Sequence, residues 1–491
     1  MLVETPTRPA STDELEALIR EARERQHRRR GRIAALVLAV ALVGAAAYGI
    51  SRSAGGGAPT VERVPHGPVV NLGAFSGHGR LAFISGSTLW VLDGTTSRLH
   101  RLPTPGGFTP SQPVFSFDGR WLAYLEQHLG PATGDDYARL WIARADGSDA
   151  HVVPGLTVYS LVGWSPSTDA LAVAAGPERT TQPCPCYSPT TLRIVSADGS
   201  HRTVARTSWL YGAAWSPDGK KLVIAADRYP HSTIAVYSAA GGRGITWLRM
   251  DNHQRLNGMN GVLFRIAGWW PHVGIGFWVF GDGAVRNLDN TPLDLITSPG
   301  ARPRLVGQTL SDGTTDAVTA SSSGDVAIVT DHGGGRAAWQ DKTLKLCTSQ
   351  TGGCRPLPHA RGDVTVDPAW SPDGKTLAYV EAPNVRTGPW SQQAIAGWFA
   401  AHRVLLYDSS AGRVRALSAA HGATAITWSR NGRSLLYVRN DALWLLPAIG
   451  NRPVRIAAPL FPTHNWPQYY AQIAWASQFA WTDTTASVST R

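Results

Sequence analysis

The feature that most constrains this chain is a hairpin that recurs along it. Its clearest copies are Ala214-Trp215-Ser216-Pro217-Asp218-Gly219-Lys220-Lys221-Leu222 and Ala369-Trp370-Ser371-Pro372-Asp373-Gly374-Lys375-Thr376-Leu377. In each, a short apolar strand ends in Trp, a Ser-Pro-Asp-Gly turn reverses the chain, and a second apolar strand leaves it. Proline at the second turn position presets φ, the serine before it can bond the turn's own backbone, and the closing glycine tolerates a left-handed conformation. The register of the hairpin is therefore encoded locally.

Weaker copies surround these two. Val114-Phe115-Ser116-Phe117-Asp118-Gly119-Arg120-Trp121-Leu122 keeps the Asp-Gly, Gly163-Trp164-Ser165-Pro166-Ser167 keeps the Ser-Pro, and Thr427-Trp428-Ser429-Arg430-Asn431-Gly432 carries Asn-Gly, an equally good turn pair. Gly73-Ala74-Phe75-Ser76-Gly77-His78-Gly79-Arg80-Leu81, Gly268-Trp269-Trp270-Pro271 and Ala320-Ser321-Ser322-Ser323-Gly324 fit the frame loosely, and Ile473-Ala474-Trp475-Ala476-Ser477 reads as a lone anchor strand. A second strand pair follows each hairpin, for example Leu140–Arg144 to His151–Val153 across Asp146-Gly147. Anchors roughly every 50 residues, with four strands per repeat, are the spacing of propeller blades rather than of helical solenoids. The expected fold is all-β, a single propeller over residues 71–481. It has about eight four-stranded blades, or seven if one degenerate repeat is not a blade. The strand near Trp475 is expected to complete the blade begun near Phe75, which removes an exposed sheet edge.

The Trp-Ser-Pro-Asp-Gly-Lys-x-Leu pattern resembles the repeat of TolB-like β-propellers, and is similar to the propeller domains of prolyl-oligopeptidase-type serine peptidases. The resemblance covers most of residues 71–481; it implies a fold and is silent on activity. No Gly-x-Ser-x-Gly elbow appears, so the hydrolase domain of such peptidases is missing. His-Glu-x-x-His and a phosphate-cradling glycine loop are absent too. His253, His272, His402 and His464 are isolated in sequence. A propeller can bring some of them together at its axis, which leaves a hydrolase or lyase site there as an alternative to a non-enzymatic binding module.

Composition matters most at the N-terminus. Charged residues are 16% and Trp numbers 19, which argues for a folded body. The formal charge is +11, but Arg25, Arg28, Arg29, Arg30 and Arg32 cluster just before an uncharged apolar run from Ile33 to Ile50. That placement reads as membrane topology, and nucleic acid is not an expected partner. Residues 1–32 are read as a cytoplasmic tail with a short basic helix starting at Ser11, with Glu14 in a capping box. Residues 33–50 are read as a single-pass signal anchor in the lipid bilayer, 51–70 as a Gly/Pro-rich linker, and 482–491 as a disordered tail. This orientation places the N-terminus in the cytoplasm and the propeller outside the cell membrane. The short helix is either simply solvated or a docking point for a cytoplasmic partner, as a ligand-sensing receptor would need.

Four cysteines allow three pairings. Cys347 and Cys354 flank a short turn and could staple a hairpin. Cys184 and Cys186 are too close for a relaxed bridge if extended, and form a local bond, cross-link elsewhere or stay reduced. No metal-ligand spacing is evident and no cofactor is expected.

Loop length locates the candidate contact surface. Long insertions fall at second turns (127–138, 176–190, 382–401) or at blade-to-blade connections (251–265, 461–471), positions that share one face. Long loops on a rigid scaffold are where binding concentrates. Asp135 and Asp136 read either as a solvated turn or as ligands for a divalent cation or basic group. Trp390, Trp398 and Phe399, and likewise Trp466, Tyr469 and Tyr470, read either as core anchors of folded loops or as platforms for a peptide or glycan. The anchor tryptophans Trp164, Trp215, Trp370 and Trp428 are assigned to packing between blades. The sequence thus points to a binding or scaffold module for an envelope protein, peptide or glycan.

Overall fold

The computed structural model describes residues 61–63 and 67–483, apart from 106–107, 129–137, 177–188, 229, 252, 261, 282–290, 310–316, 332–337, 349–352, 386–390 and 461–474. The readings of residues 1–58, including the basic helix and the apolar run 33–50, lie outside them. So do Asp135, Asp136, Cys184, Cys186, Trp390, His464, Trp466, Tyr469 and Tyr470. Among the described residues, no helix is long and apolar enough to cross a membrane.

The copies at Phe115, Trp164, Trp215, Trp270, Ala320, Trp370 and Trp428 build the expected hairpin. Ser216 Oγ accepts the Lys221 N–H at 2.9 Å and donates to Asp218 Oδ1 at 2.6 Å, while Asp218 Oδ1 also accepts the Lys220 N–H at 3.0 Å. Gly219 N–H closes the turn onto the Ser216 carbonyl at 2.8 Å. The same set recurs at Ser371/Asp373, Ser116/Asp118 and, with Asn in place of Asp, Ser429/Asn431. Ser321 makes a reduced version with Ser323 and Asp325. All these hydroxyls are buried, so the turn satisfies its own polar atoms with no help from water.

Around these hairpins the chain forms antiparallel four-stranded units, named here by their anchor residue. The Trp215 unit is Trp209–Trp215, Lys221–Arg228, His231–Ser238 and Ile245–Asp251. The Trp270 unit runs from Leu263–Trp270 to Arg304–Thr309, the Ala320 unit from Val318–Ala320 to Cys354–Pro356, and the Trp370 unit from Asp363–Trp370 to Arg413–Ala416. The Phe115 and Trp164 units share one long strand, His151–Trp164, which is the last of one and the first of the other, giving a seven-stranded sheet. The Trp428 unit, Thr424–Trp428 to Val454–Ala458, gains Val69–Asn71 and Val61–Arg63 at its outer edge. Part of the stretch read as linker is therefore β-structure: its valines pair with an otherwise open edge and satisfy backbone groups there.

The last unit is made by both chain ends. Phe479–Thr482 pairs with Arg80–Ser85, followed by Thr88–Asp93 and Arg98–Arg101. Successive four-stranded antiparallel sheets, closed by a terminal strand inside the first of them, are a β-propeller. Two details differ from expectation. Residues 72–75 form a helical turn, capped by Asn71, instead of a first strand. The closing strand lies at Phe479–Thr482, and Trp475–Ser477 is a 3-10 turn before it. The physical reason is that Trp481, not Phe75 or Trp475, takes the anchor position, and its indole N–H donates to the His78 carbonyl at 2.7 Å.

Apolar clusters fill the space between neighbouring units. Ala82, Val91, Leu122 and Tyr124 join the closing sheet to the Phe115 unit, and Ala172, Ile194, Leu210 and Leu222 join the Trp164 and Trp215 units. Indole N–H groups pin the innermost strands across these seams: Trp164 to the Val114 carbonyl (3.0 Å), Trp215 to Gly163 (2.8 Å) and Trp428 to Ala369 (3.0 Å). The Trp370 indole finds no acceptor, and the strand it follows belongs to the degenerate Ala320 repeat. The anchor tryptophans thus pack between units, as read from sequence. Cys347 and Cys354 form a disulfide across paired strands of the Ala320 unit.

Because Ser216 Oγ is buried and holds a backbone N–H, Ser216→Ala leaves that donor unpaired. Chemical denaturation should show a loss of about 1–2 kcal/mol. Lys220→Ala, on the same turn but exposed, should change stability by less than about 0.5 kcal/mol. Equal effects from the two changes would refute the role given to the hydroxyl.

Candidate functional site

In a four-stranded meander, the first and third turns leave one edge of the sheet and the second turn and outgoing link leave the other. The first edge is trimmed to the locked turns described above. The second carries the insertions, and two of these fold within the described residues.

One insertion lies between Thr376–Pro383 and Arg403–Asp408. It contains a helix, Gln392–Ala400, started by Ser391, whose hydroxyl accepts the Ala394 N–H at 3.1 Å. Ile395 and Trp398 face inward. Trp398 is only 6% exposed; its indole donates to the Pro383 carbonyl at 2.9 Å, and its ring packs edge-on against Trp339 and His402. Trp398 therefore anchors the loop, and burial removes it as an open platform. Phe399 is half-buried beside it. His402 is fully buried, with Nδ1 3.0 Å from the Ala423 carbonyl and Nε2 without a partner. Burial pulls its pKa down to about 4, so it is neutral at physiological pH. The helix presents Gln393, Ala394, Ala396, Gly397 and Ala400 outward, a face of short side chains.

The second insertion, in the 251–265 stretch, contains a hairpin of Arg255–Leu256 and Met259–Asn260. Its tip, Asn257-Gly258, has φ of 51° and 85°, the left-handed pair of a tight hairpin turn. Asn257 Nδ2 donates at 2.6 Å to Oδ2 of Asp294, a fully buried carboxyl whose Oδ1 has no partner. Burial raises the Asp294 pKa to about 6.

Ion pairs between a buried glutamate and a partly exposed arginine sit near this edge in two repeats. Glu126 pairs with Arg139 at 2.9 Å and accepts the Trp141 indole N–H at 2.9 Å. Glu381 pairs with Arg403 at 2.7 Å, and Arg403 also reaches Asp363 at 2.6 Å. Both glutamates face their arginine directly across the ladder. Sequence reading missed them, although a signal was present: each Glu occupies the same position after its motif serine. On the innermost strands, Gln112 and Asp367 have left-handed φ of 52° and 50° at bulges. Their side chains accept bonds from Leu161 N–H (3.1 Å) and Thr424 Oγ1 (2.5 Å) on the next unit. These polar groups tie strands together.

Of the histidines singled out from sequence, the three that are described, His253, His272 and His402, stay apart. His272 lies in a trimmed-edge turn and His253 is exposed near the hairpin, while His402 is sealed inside its loop. Among the described residues, no three His, Cys, Asp or Glu side chains converge as metal ligands.

No family model and no curated protein matches the chain. Solved structures of propeller-containing proteins do. Dipeptidyl peptidase 4 of Porphyromonas gingivalis is 12% identical with a TM-score of 0.47, over 78% of this chain and 60% of that one. A prolyl endopeptidase is 13% identical with a TM-score of 0.44, over 78% and 54%. The β-propeller domain of the Trilobed protease from Pyrococcus furiosus is 8% identical with a TM-score of 0.40, over 73% and 97%. The chain thus spans little more than half the length of the prolyl endopeptidase. The fold class, a β-propeller, rests on the strand pairing above.

A carboxyl whose folded pKa lies above its ordinary 3.8 favours folding while protonated. For Asp294 that contribution is complete at low pH and is lost as pH rises through about 6, a cost of roughly 3 kcal/mol at neutral pH. Asp294→Asn should raise the urea midpoint clearly at pH 7.5 and change it little at about pH 3, below the unfolded pKa. An equal shift at both pH values would show that the carboxyl is not strained by burial.

Proposed function

We propose that this protein is a membrane-tethered, extracytoplasmic propeller of eight blades, TolB-like in its repeat, whose insertion-bearing edge binds another envelope protein, a peptide or a glycan. The count of eight is supported by the closing sheet and the Phe115, Trp164, Trp215, Trp270, Ala320, Trp370 and Trp428 units, with the shared strand serving two of them. The observation that carries the binding reading is the asymmetry between the two edges. Motif turns on one side are short and self-satisfied, and offer a partner few free polar groups. The other side bears a capped helix and a tight hairpin, the first held down by the buried Trp398 and the second by the bond from Asn257, itself exposed, to the buried Asp294. Loops that are ordered by their own cores lose little entropy on binding. The short outward side chains of Gln392–Ala400 let a partner backbone approach closely.

The tether reading is supported by the arginine cluster before Ile33–Ile50 and by chain entry at the outer edge of the Trp428 unit, where Val61–Arg63 pairs. It has a direct check. The full chain should pellet with membranes and resist carbonate extraction, removal of residues 1–58 should release it, and protease added to intact cells should reach the propeller. A soluble full-length chain would end this part of the reading.

The contact surface has a separate check. A photo-crosslinking residue at Ala396 should give a discrete adduct in native membranes, and the same residue at Lys220 on the trimmed edge should give none. Adducts from Lys220 alone would move the binding surface to the other side.

A further inference from the structure

Two stretches of the chain, 102–126 and 357–381, align without a gap and, over the described residues, fold alike. Each begins with a leucine whose N–H donates 2.9 Å to the third strand of the preceding unit, Leu102 to Leu89 and Leu357 to Leu344. Each continues through a six-residue link and the motif hairpin to a buried Tyr and a buried Glu, Tyr124 with Glu126 and Tyr379 with Glu381.

In the second copy every polar group is matched. Tyr379 OH donates to the Pro358 carbonyl at 2.7 Å, and Glu381 Oε1 accepts the Ala360 N–H at 2.5 Å. Arg403 spans Glu381 and Asp363. In the first copy the link reads Leu102-Pro103-Thr104-Pro105, so Pro105 stands where Ala360 does. Proline has no N–H to give. Accordingly Glu126 Oε1 has no partner; Tyr124 OH and, in the link itself, Thr104 Oγ1 are unpartnered as well. Phe108 replaces Asp363, and Arg139 lies over its ring at 3.8 Å, with Nε unpartnered. Tyr124 and Glu126 are both 0% exposed.

We propose that this seam, between the closing sheet and the Phe115 unit, is a buried binding site for one small neutral group that both donates and accepts hydrogen bonds, supplied either by water or by the amide of a bound peptide. The chemistry is set by the twin site. There a backbone N–H satisfies the carboxylate oxygen and a backbone carbonyl satisfies the phenol, which are the two halves of a peptide-like group. Leaving several such atoms dry and unpaired is disfavoured, because each forfeits its hydration on burial. The carboxylate needs a donor and Arg139 Nε an acceptor, so a purely apolar or purely cationic occupant does not fit. Arg139, about a third exposed and resting on Phe108, forms the cover over the site.

Trp141 supplies the reporter, since its indole N–H donates to the other oxygen of Glu126. Full-length protein labelled with 15N at its tryptophan indoles, with the Trp141 signal assigned by Trp141→Phe, should show a cross-peak from that indole proton to a long-lived water. Titration with N-methylacetamide should remove the water cross-peak and shift the signal saturably if an amide is the occupant, and leave both unchanged if water alone is held. Either result supports the site and separates its two sources. Pro105→Ala, which restores the missing N–H, should abolish whichever signal is seen while the other indole signals stay in place. Wild-type protein with neither a water cross-peak nor an amide response would overturn the proposal, and so would a signal that persists unchanged in Pro105→Ala.

Discussion

The structure depends on a serine hydroxyl placed where water cannot reach it. In the Ser116, Ser216, Ser371 and Ser429 turns the Oγ accepts a backbone N–H at the start of the departing strand, because burial leaves that N–H no other partner. Once the bond is made, the Asp or Asn two residues on takes the hydroxyl proton and the next backbone donor, and the strands on either side are fixed in register. A one-residue slip would turn every side chain to the wrong face of the sheet. The hairpin is therefore a local device with a global consequence. The turns also meet one another between units: Ser167 Oγ donates to the Asp218 carbonyl at 2.9 Å, and a Cβ on Gly219 would come within 2.2 Å of that hydroxyl. The motif glycine is needed for its φ of 69° and for this close approach.

Closing the ring poses a different problem, since the first unit has no motif turn joining its first two strands. The chain ends solve it by pairing. Gly79 lies so close to the closing strand that a Cβ would fall 2.0 Å from the Thr482 carbonyl. Asp483 then takes the place of a turn, accepting the N–H groups of Arg430 and Asn431 from the neighbouring unit at 2.9 and 3.3 Å. Arg430 reaches past it to the Phe117 carbonyl and lies over the Phe117 ring at 4.1 Å. Units on either side of the join are thereby linked across it by a charged hydrogen bond and a cation–π contact.

The chemistry that distinguishes one repeat of this scaffold from another arises where the repeats depart from their shared pattern. The Trp370 and Phe115 units share a buried Tyr, a buried Glu and a partly exposed Arg facing that Glu across the ladder. They differ in one carboxylate and one proline of the adjoining strand and link. That difference changes a fully satisfied interface into one with unpaired oxygens. The insertions are departures of the same kind, added at edges where the meander leaves room and held by side chains such as Trp398 and Asn257 that the shared repeat does not contain.

How much of this was legible in the residues can be said element by element. The Ser-Pro-Asp-Gly turns, the four-strand repeat, the packing role of Trp164, Trp215 and Trp428 and the edge assignment of the 251–265 and 382–401 insertions follow from local turn chemistry and period-two patterning. A chain reads these within a few residues of itself. The Cys347 and Cys354 pairing was one of three until strand register placed the two side chains opposite each other. Trp398 as anchor or platform was open because exposure depends on what packs above a residue, and Trp339 and His402 are distant or ambiguous in sequence. The closing strand was misplaced by several residues because Trp475 and Trp481 are equally good anchors in isolation, and only pairing with Arg80–Ser85 chooses between them. The buried Asp294 and the unpaired Glu126 escaped notice for the same reason: a carboxylate's surroundings come from other strands, and sequence states what a residue is but not which atoms the fold brings to it.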